Sequence, residues 1–229
     1  MSVPYKLTRA KRKTISIYVR PDATVEVKAP FFVTEKKINA FVQEKEAWIL
    51  EHLEQVRRHN AQKSAFSVGY GQKILLRGQE YPITGEKSNR VHFDGQSIYM
   101  PEGLTGEEIK KAIILLYRKY AESYLKERVA YYAGLVGVTP AAVSITSAKT
   151  RWGSCSSTAR INFSWRLIQA PDSAIDYVVV HELAHLKEHN HSAKFWAEVV
   201  KIIPDYKCKK EKLKQLQSRL NHENWEDNK

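Results

Sequence analysis

The sequence predicts an α+β fold, and three observations carry that prediction. Apolar residues alternate with polar ones in two early stretches, Ile15, Ile17 and Val19, then Val25, Val27 and Ala29, which is the period of a half-buried strand. Elsewhere they fall at helical spacing, as in Ile38, Phe41, Val42 and Ile49, or Ile109, Ile113, Leu116 and Tyr120. A third helical stretch holds four of the eight histidines between His181 and His191. It follows a segment, Arg160 to Arg166, that alternates like a strand.

In order, residues 5–30 read as a hairpin turned at Pro21-Asp22 and ended by Pro30. Thr34 is an N-cap for a helix reaching about His59, with Trp48 as a core residue. Residues 60–70, polar and glycine-ended, suggest a linker or long loop. Short strands follow at Lys73 to Leu76, Glu80 to Thr84, Arg90 to Phe93 and Ser97 to Met100. Asp94-Gly95 is a hairpin turn, and Pro82 suggests an edge strand. Thr105 and Glu108 form a capping box for a helix running to about Leu135, before Gly137. Its tyrosines read as packing. Val143 to Ser147 is a strand, and Thr150 to Ser157 is a turn-rich loop in which Gly153 makes a tight turn with Trp152 as anchor. Ser173 and Asp176 suggest a capping box for the histidine helix, with Asn190 as its left-handed exit. Ser192 caps a further helix carrying Phe195 and Trp196, and Pro204 stops it. A basic helix runs roughly from Tyr206 to Leu220, and the polar tail from Asn221 is expected to fray. The division this suggests is an N-terminal β-rich region with one helix, 1–104, and a core, 105–229, the two being compatible with one continuous domain.

With 229 residues, 43% of them hydrophobic, the chain has enough material for a sizeable core. It holds no apolar run of the roughly 18 residues a membrane span needs. The N-terminus has no apolar signal-peptide region, and two cysteines, Cys155 and Cys208, make no disulfide framework. The expected compartment is therefore the cytoplasm, with no membrane partner. The net charge of +12 favours polyanions such as nucleotides or nucleic acid. Its clusters are Lys6 to Lys13 and Lys207 to Lys214, and each also fits a solvated face.

The chemistry lies in His181-Glu182-Leu183-Ala184-His185. Histidines four apart share one helix face and can bind one metal ion, and the intervening glutamate can act as general base on an activated water. Charged and imidazole groups amid Ile175, Val178, Val179, Val180, Leu183 and Leu186 have little use in a neutral core. Catalytic zinc usually takes three protein ligands. His189, on a continued helix, would diverge along the rod, whereas His191 beyond Asn190 can fold back, so the ligand set is His181, His185 and His191, with Glu182 catalytic. Arg151, Tyr177 and Arg160 are candidate oxyanion donors by proximity. Cys155 reads as a small apolar filler, with a redox thiol or a resting-state zinc ligand as alternatives.

Arg151-Trp152-Gly153-Ser154-Cys155, the strand Arg160 to Arg166, Asp176 to Leu186, and Asn190-His191-Ser192 with Phe195 and Trp196 together resemble the YgjP-like metallopeptidases, a family related to the WLM and SprT-type proteases. The resemblance covers about residues 15–215. It implies a zincin-like catalytic core, a small sheet packed on the H-E-x-x-H helix, with an N-terminal β-rich and helical portion. It implies Zn2+ on His181, His185 and His191, with Glu182 as base. It also implies that an edge strand, expected at Arg160 to Arg166, pairs with an extended peptide. Glu188 stands where metzincins carry glycine, which sets that group aside.

The expected function is therefore a zinc-dependent metallopeptidase acting on a peptide or protein. Three alternatives stand beside it. They are a metal-dependent nucleotide phosphoanhydride hydrolase (a pyrophosphatase), a DNA-associated protease recruited by the basic surface, and a non-catalytic zinc-stabilised module.

Overall fold

Alternation along the first thirty residues builds a sheet. In the computed structural model, which describes residues 3–225, β1 (Lys6–Arg9), β2 (Ser16–Val19) and β3 (Val25–Ala29) form a sheet of order β1-β3-β2. β2 and β3 are the expected antiparallel hairpin, and β1 lies parallel to β3. The inward set Val25, Val27 and Ala29 is covered by Ile38, Val42, Ile49 and Leu53 of α1 (Glu35–Glu44) and α2 (Glu46–Ala65). Thr34 is the N-cap of α1, but the single expected helix breaks at Lys45 (φ −97°, ψ 9°). Trp48 is 40% exposed rather than core, because Ile49 and Leu53 take the inward face. The expected loop at 60–70 shrinks, since α2 continues through Ala65. Arg9 is spent internally, donating to the carbonyls of Pro30 at 2.8 Å and Val33 at 2.5 Å.

Contacts divide the chain into two units, one ending at Phe66 and taking in His222–Asn224, the other holding Ser67–Asn221 and Trp225. This contact boundary falls at Phe66. The reason is β4 (Lys73–Leu76) and its turn into β5 (Gln79–Glu86). Arg77 and Gly78 donate their backbone N–H groups to Ile168 and Gln169, at 2.8 and 3.1 Å. Gly78 (φ 79°) also sits so close to Pro171 that a Cβ there would lie 2.9 Å from its Cα. β6 (His92–Phe93) and β7 (Ile98–Pro101) complete a sheet of order β4-β5-β7-β6. Pro82 is thus not on an edge strand. β5 pairs with β4 over Gln79–Pro82 and with β7 from Ile83 onward, so the proline sits where pairing changes sides.

α3 (Gly106–Val136) starts in the expected capping box and ends at Gly137 in the left-handed conformation. β8 (Ala142–Thr146), β9 (Gly153–Cys155) and β10 (Arg160–Ser164) form the last sheet, in the order β8-β10-β9. β10 is therefore central, parallel to β8 and antiparallel to β9, and has no free edge. That corrects the expectation that this strand receives a peptide. A 3-10 helix, Trp165–Gln169, leads into α4 (Asp172–Ala184), then α5 (Ala193–Ile202) and α6 (Tyr206–Asn221). The tail does not fray at once, since Trp225 is buried against Tyr117 and Trp165. Among the described residues no helix is long and apolar enough to cross a membrane.

Candidate metal centre

α4 carries the centre, and its own side chains show why it is rigid. Ile175, Val178, Val179, Val180 and Leu183 are all buried, so the helix is apolar nearly all round. Its N-cap is Pro171, with no side-chain capping bond. Asp176, expected in a capping box, instead receives a two-pronged contact from Arg128 of α3, Nε to Oδ1 at 2.7 Å and Nη2 to Oδ2 at 3.0 Å. Asp172 receives the same from Arg77, at 2.7 and 2.6 Å. Two guanidinium forks thus pin the first turns of the helix.

The far end of α4 frees the histidines to converge. The helix stops at Ala184, and His185 is its C-cap, so the expected left-handed exit at Asn190 does not occur. Leu186, Lys187 and Glu188 instead close tight turns onto Leu183 and Ala184. His185 Nδ1 then donates to the Glu188 carbonyl at 3.1 Å. A carbonyl only accepts, so the proton is on Nδ1 and the Nε2 lone pair is free. Ser192 caps α5, accepting from the Phe195 N–H at 3.3 Å, and this brings His191 back over the helix.

His181, His185 and His191 come together with their ligand atoms within 4.8 Å of one another. His191 Nε2 and His181 Nε2 are 3.1 Å apart. Two nitrogens on one tetrahedral zinc would be roughly 3.3 Å apart, given Zn–N bonds of about 2.0–2.1 Å. That pair matches the spacing, and the three-imidazole donor set is of the kind that ion takes. Phe195, fully buried, forms the floor, its ring centroid 4.9, 4.5 and 4.8 Å from those of His181, His185 and His191. Burial above all, with lesser repulsion from His185, His191 and Lys210, holds the His181 pKa down at about 3. Its Nδ1 is buried without a hydrogen-bond partner. The ring is therefore neutral, with one nitrogen lone pair able to meet a metal. His189 is exposed and outside the cluster.

Glu182, the residue after His181, is only 6% exposed. Burial pushes its carboxyl up to about 7, against a smaller opposing effect of Arg151. Against it lies Gly153, where a Cβ would come within 2.6 Å of Oε1, 2.7 Å of Cγ and 2.8 Å of Cδ. The tight turn expected at this glycine does not occur. Gly153 is a strand residue of β9 without positive φ, and it is needed because Glu182 packs directly on its Cα. A glycine at the start of a strand can mark the close approach of another group.

Of the three candidate oxyanion donors, Tyr177 lines the cavity beside His181 and Glu182. Burial first, then Tyr206 and Glu182, raises its hydroxyl to about 12, so it stays a donor. Arg151 reaches Glu182 only through its charge, and Arg160 is exposed on β10. Cys155 is half-buried and outside the metal-binding group. Burial and Glu182 both raise its pKa, so it is a thiol rather than a thiolate. The cavity, about 550 Å³, extends from His181 and Glu182 to α6, whose Lys210 and Leu213 line it and were not anticipated as part of the site.

The model of the YgjP-like metallopeptidase domain matches residues 13–216. Among solved structures, the chain is similar to the metallopeptidase zymogen abylysin of Pyrococcus abyssi, with 25% identity over 42% of this chain and 94% of that one, TM-score 0.37. It is also similar to the zymogen jannalysin of Methanocaldococcus jannaschii, with 22% identity over 42% and 96%, TM-score 0.36. No curated protein matches.

Proposed function

The chain belongs to the YgjP-like metallopeptidase family and is a metal-dependent hydrolase, and on that premise we propose that it is a zinc peptidase with His181, His185 and His191 as ligands and Glu182 as general base. The observation that carries the reading is the convergence of three imidazoles on one point beside a buried carboxylate. When bound, zinc supplies a Lewis acid that brings a water toward a pKa of ~7 and polarises the scissile carbonyl. Glu182 takes the proton as the water oxygen bonds to the carbonyl carbon. It then gives that proton to the amide nitrogen as the C–N bond breaks. Gly153 holds the carboxylate against β9, and buried Phe195 keeps the three rings in place from below. Tyr177 is the donor assigned to the developing oxyanion, since among the three candidates it is the one at the cavity wall. With β10 central, β9 is the strand of this sheet nearest Glu182 with an unpaired side, and it suits an extended peptide.

The test is hydrolysis by wild type and Glu182→Gln on a peptide panel and a nucleoside triphosphate panel, with metal content measured on both proteins. Peptide cleavage by wild type, lost in a Glu182→Gln protein that keeps its zinc, supports the reading. Equal cleavage by the variant removes Glu182 from its role. Release of phosphate or pyrophosphate without peptide cleavage moves the substrate to phosphoanhydrides.

A further inference from the structure

The cavity beside the metal centre has an unequal distribution of charge. Its inner wall is apolar, formed by Tyr177, Val178 and Leu213. Lys210 and Lys214, one turn apart on α6 and flanking Leu213, line the same space. Other lysines of this helix have partners or point elsewhere. Lys209 pairs with Asp205 at 2.6 Å and does not line the cavity. Lys214 meets Glu211 only at 3.8 Å, with both side chains more than half exposed, a contact of little strength. Lys210 has no carboxylate at ion-pair distance among the described residues, yet its charge is felt at His181. Glu182 is the one carboxylate among the lining residues and packs on Gly153. At about 550 Å³ the space suits one side chain and its flanking backbone, not a helix or a duplex.

A cavity lined by apolar side chains and two lysines matches a short aliphatic stem ending in a carboxylate. We propose that this cavity is a specificity subsite for a glutamate of the peptide substrate near the scissile bond, with Lys210 and Lys214 as the specificity-determining residues. The inference rests on the peptidase reading and extends it to substrate choice. Tyr177 and Leu213 take the methylenes, the ammonium groups take the carboxylate, and a lysine at the same position is repelled.

Its test is a set of peptides that differ only in carrying Glu, Gln or Lys at each position flanking the cleaved bond, compared by kcat/KM within each protein. Wild type should prefer Glu over Gln by roughly tenfold at one position, the worth of two partly exposed charge contacts. Lys210→Gln/Lys214→Gln should bring that ratio to about one, and Lys210→Glu/Lys214→Glu should turn it toward Lys. Because the ratio is internal to one protein, partial misfolding cancels. A second arm measures calorimetric binding of the Glu and Gln peptides to zinc-loaded Glu182→Gln protein, with and without the lysine changes. Cleavage with no Glu preference at any position overturns the subsite and leaves the peptidase. Lysine-dependent binding of the Glu peptide without cleavage in wild type supports the subsite and overturns the peptidase. Neither cleavage nor discrimination in binding overturns both.

Discussion

Replacing Gly153 by alanine puts the role of Glu182 to the sharpest test, because the change adds a single methyl group. The added Cβ would lie 2.6 Å from Glu182 Oε1, whereas ordinary contact begins at 3.4 Å. Relief requires the carboxylate or β9 to move by roughly 0.8 Å, since the repulsive wall at such distances is steep. Glu182 is only 6% exposed, and β9 is tied to β10 through Ile161, Asn162 and Phe163. A general base misplaced by about 1 Å costs on the order of 100-fold in rate. Gly153→Ala should therefore lower kcat about 100-fold on a cleaved peptide. KM should change little, and overpacking should cost about 1–3 kcal/mol in stability. The assay is steady-state hydrolysis with zinc content and thermal unfolding measured on the same preparation. A folded, zinc-loaded variant with wild-type kcat would falsify the placement of Glu182 as base.

Other outcomes follow from the same geometry. Phe195→Ala opens a cavity beneath three histidines, so unfolding should show a loss of about 3–5 kcal/mol, and zinc titration a weaker site; an unchanged zinc affinity would remove Phe195 as their support. Tyr177→Phe keeps the ring and removes the hydroxyl. On the assignment made above, kcat should fall roughly 100-fold, and normal turnover would clear the hydroxyl of that role. Arg128→Ala leaves Asp176 without its fork where the two side chains are only 22% and 15% exposed. The loss should be about 2 kcal/mol in denaturant unfolding, between the exposed and fully buried cases. The Arg77 guanidinium holds Asp172 below the usual carboxylate range. A depressed folded pKa adds stability above the unfolded value of about 4, lost as pH falls through the folded pKa. The advantage of wild type over Arg77→Met should thus be constant at neutral pH and shrink in acid; an advantage that grows in acid contradicts the assignment.

How much of this could be read beforehand depends on whether the cause is local. His181 and His185 were legible because a spacing of four on a helix fixes their common face regardless of the rest of the fold. His191 was picked out as a residue past a helix end, although that end lies at Ala184 and not at Asn190. The exit of α4 was misplaced at Asn190 because the helix is ended by turns at Leu186 to Glu188, which carry no glycine or asparagine signal. Asp176 fits a capping box by spacing, but Arg128, 48 positions away, claims it. Pro82 shows the same limit. A proline argues against central pairing, yet β5 changes partners at that residue, which only the sheet order reveals. Gly153 against Glu182 and Lys210 near His181 are tertiary meetings across more than twenty residues, where no periodicity connects the partners.

The most direct measurement of the central claim is zinc K-edge X-ray absorption on the protein loaded with one equivalent of zinc, in wild type and His191→Ala. Three imidazole nitrogens and one oxygen at about 2.0–2.1 Å, falling to two nitrogens in the variant, is the expected result. A sulfur scatterer near 2.3 Å, or a first shell unchanged by loss of His191, would contradict the three-histidine centre.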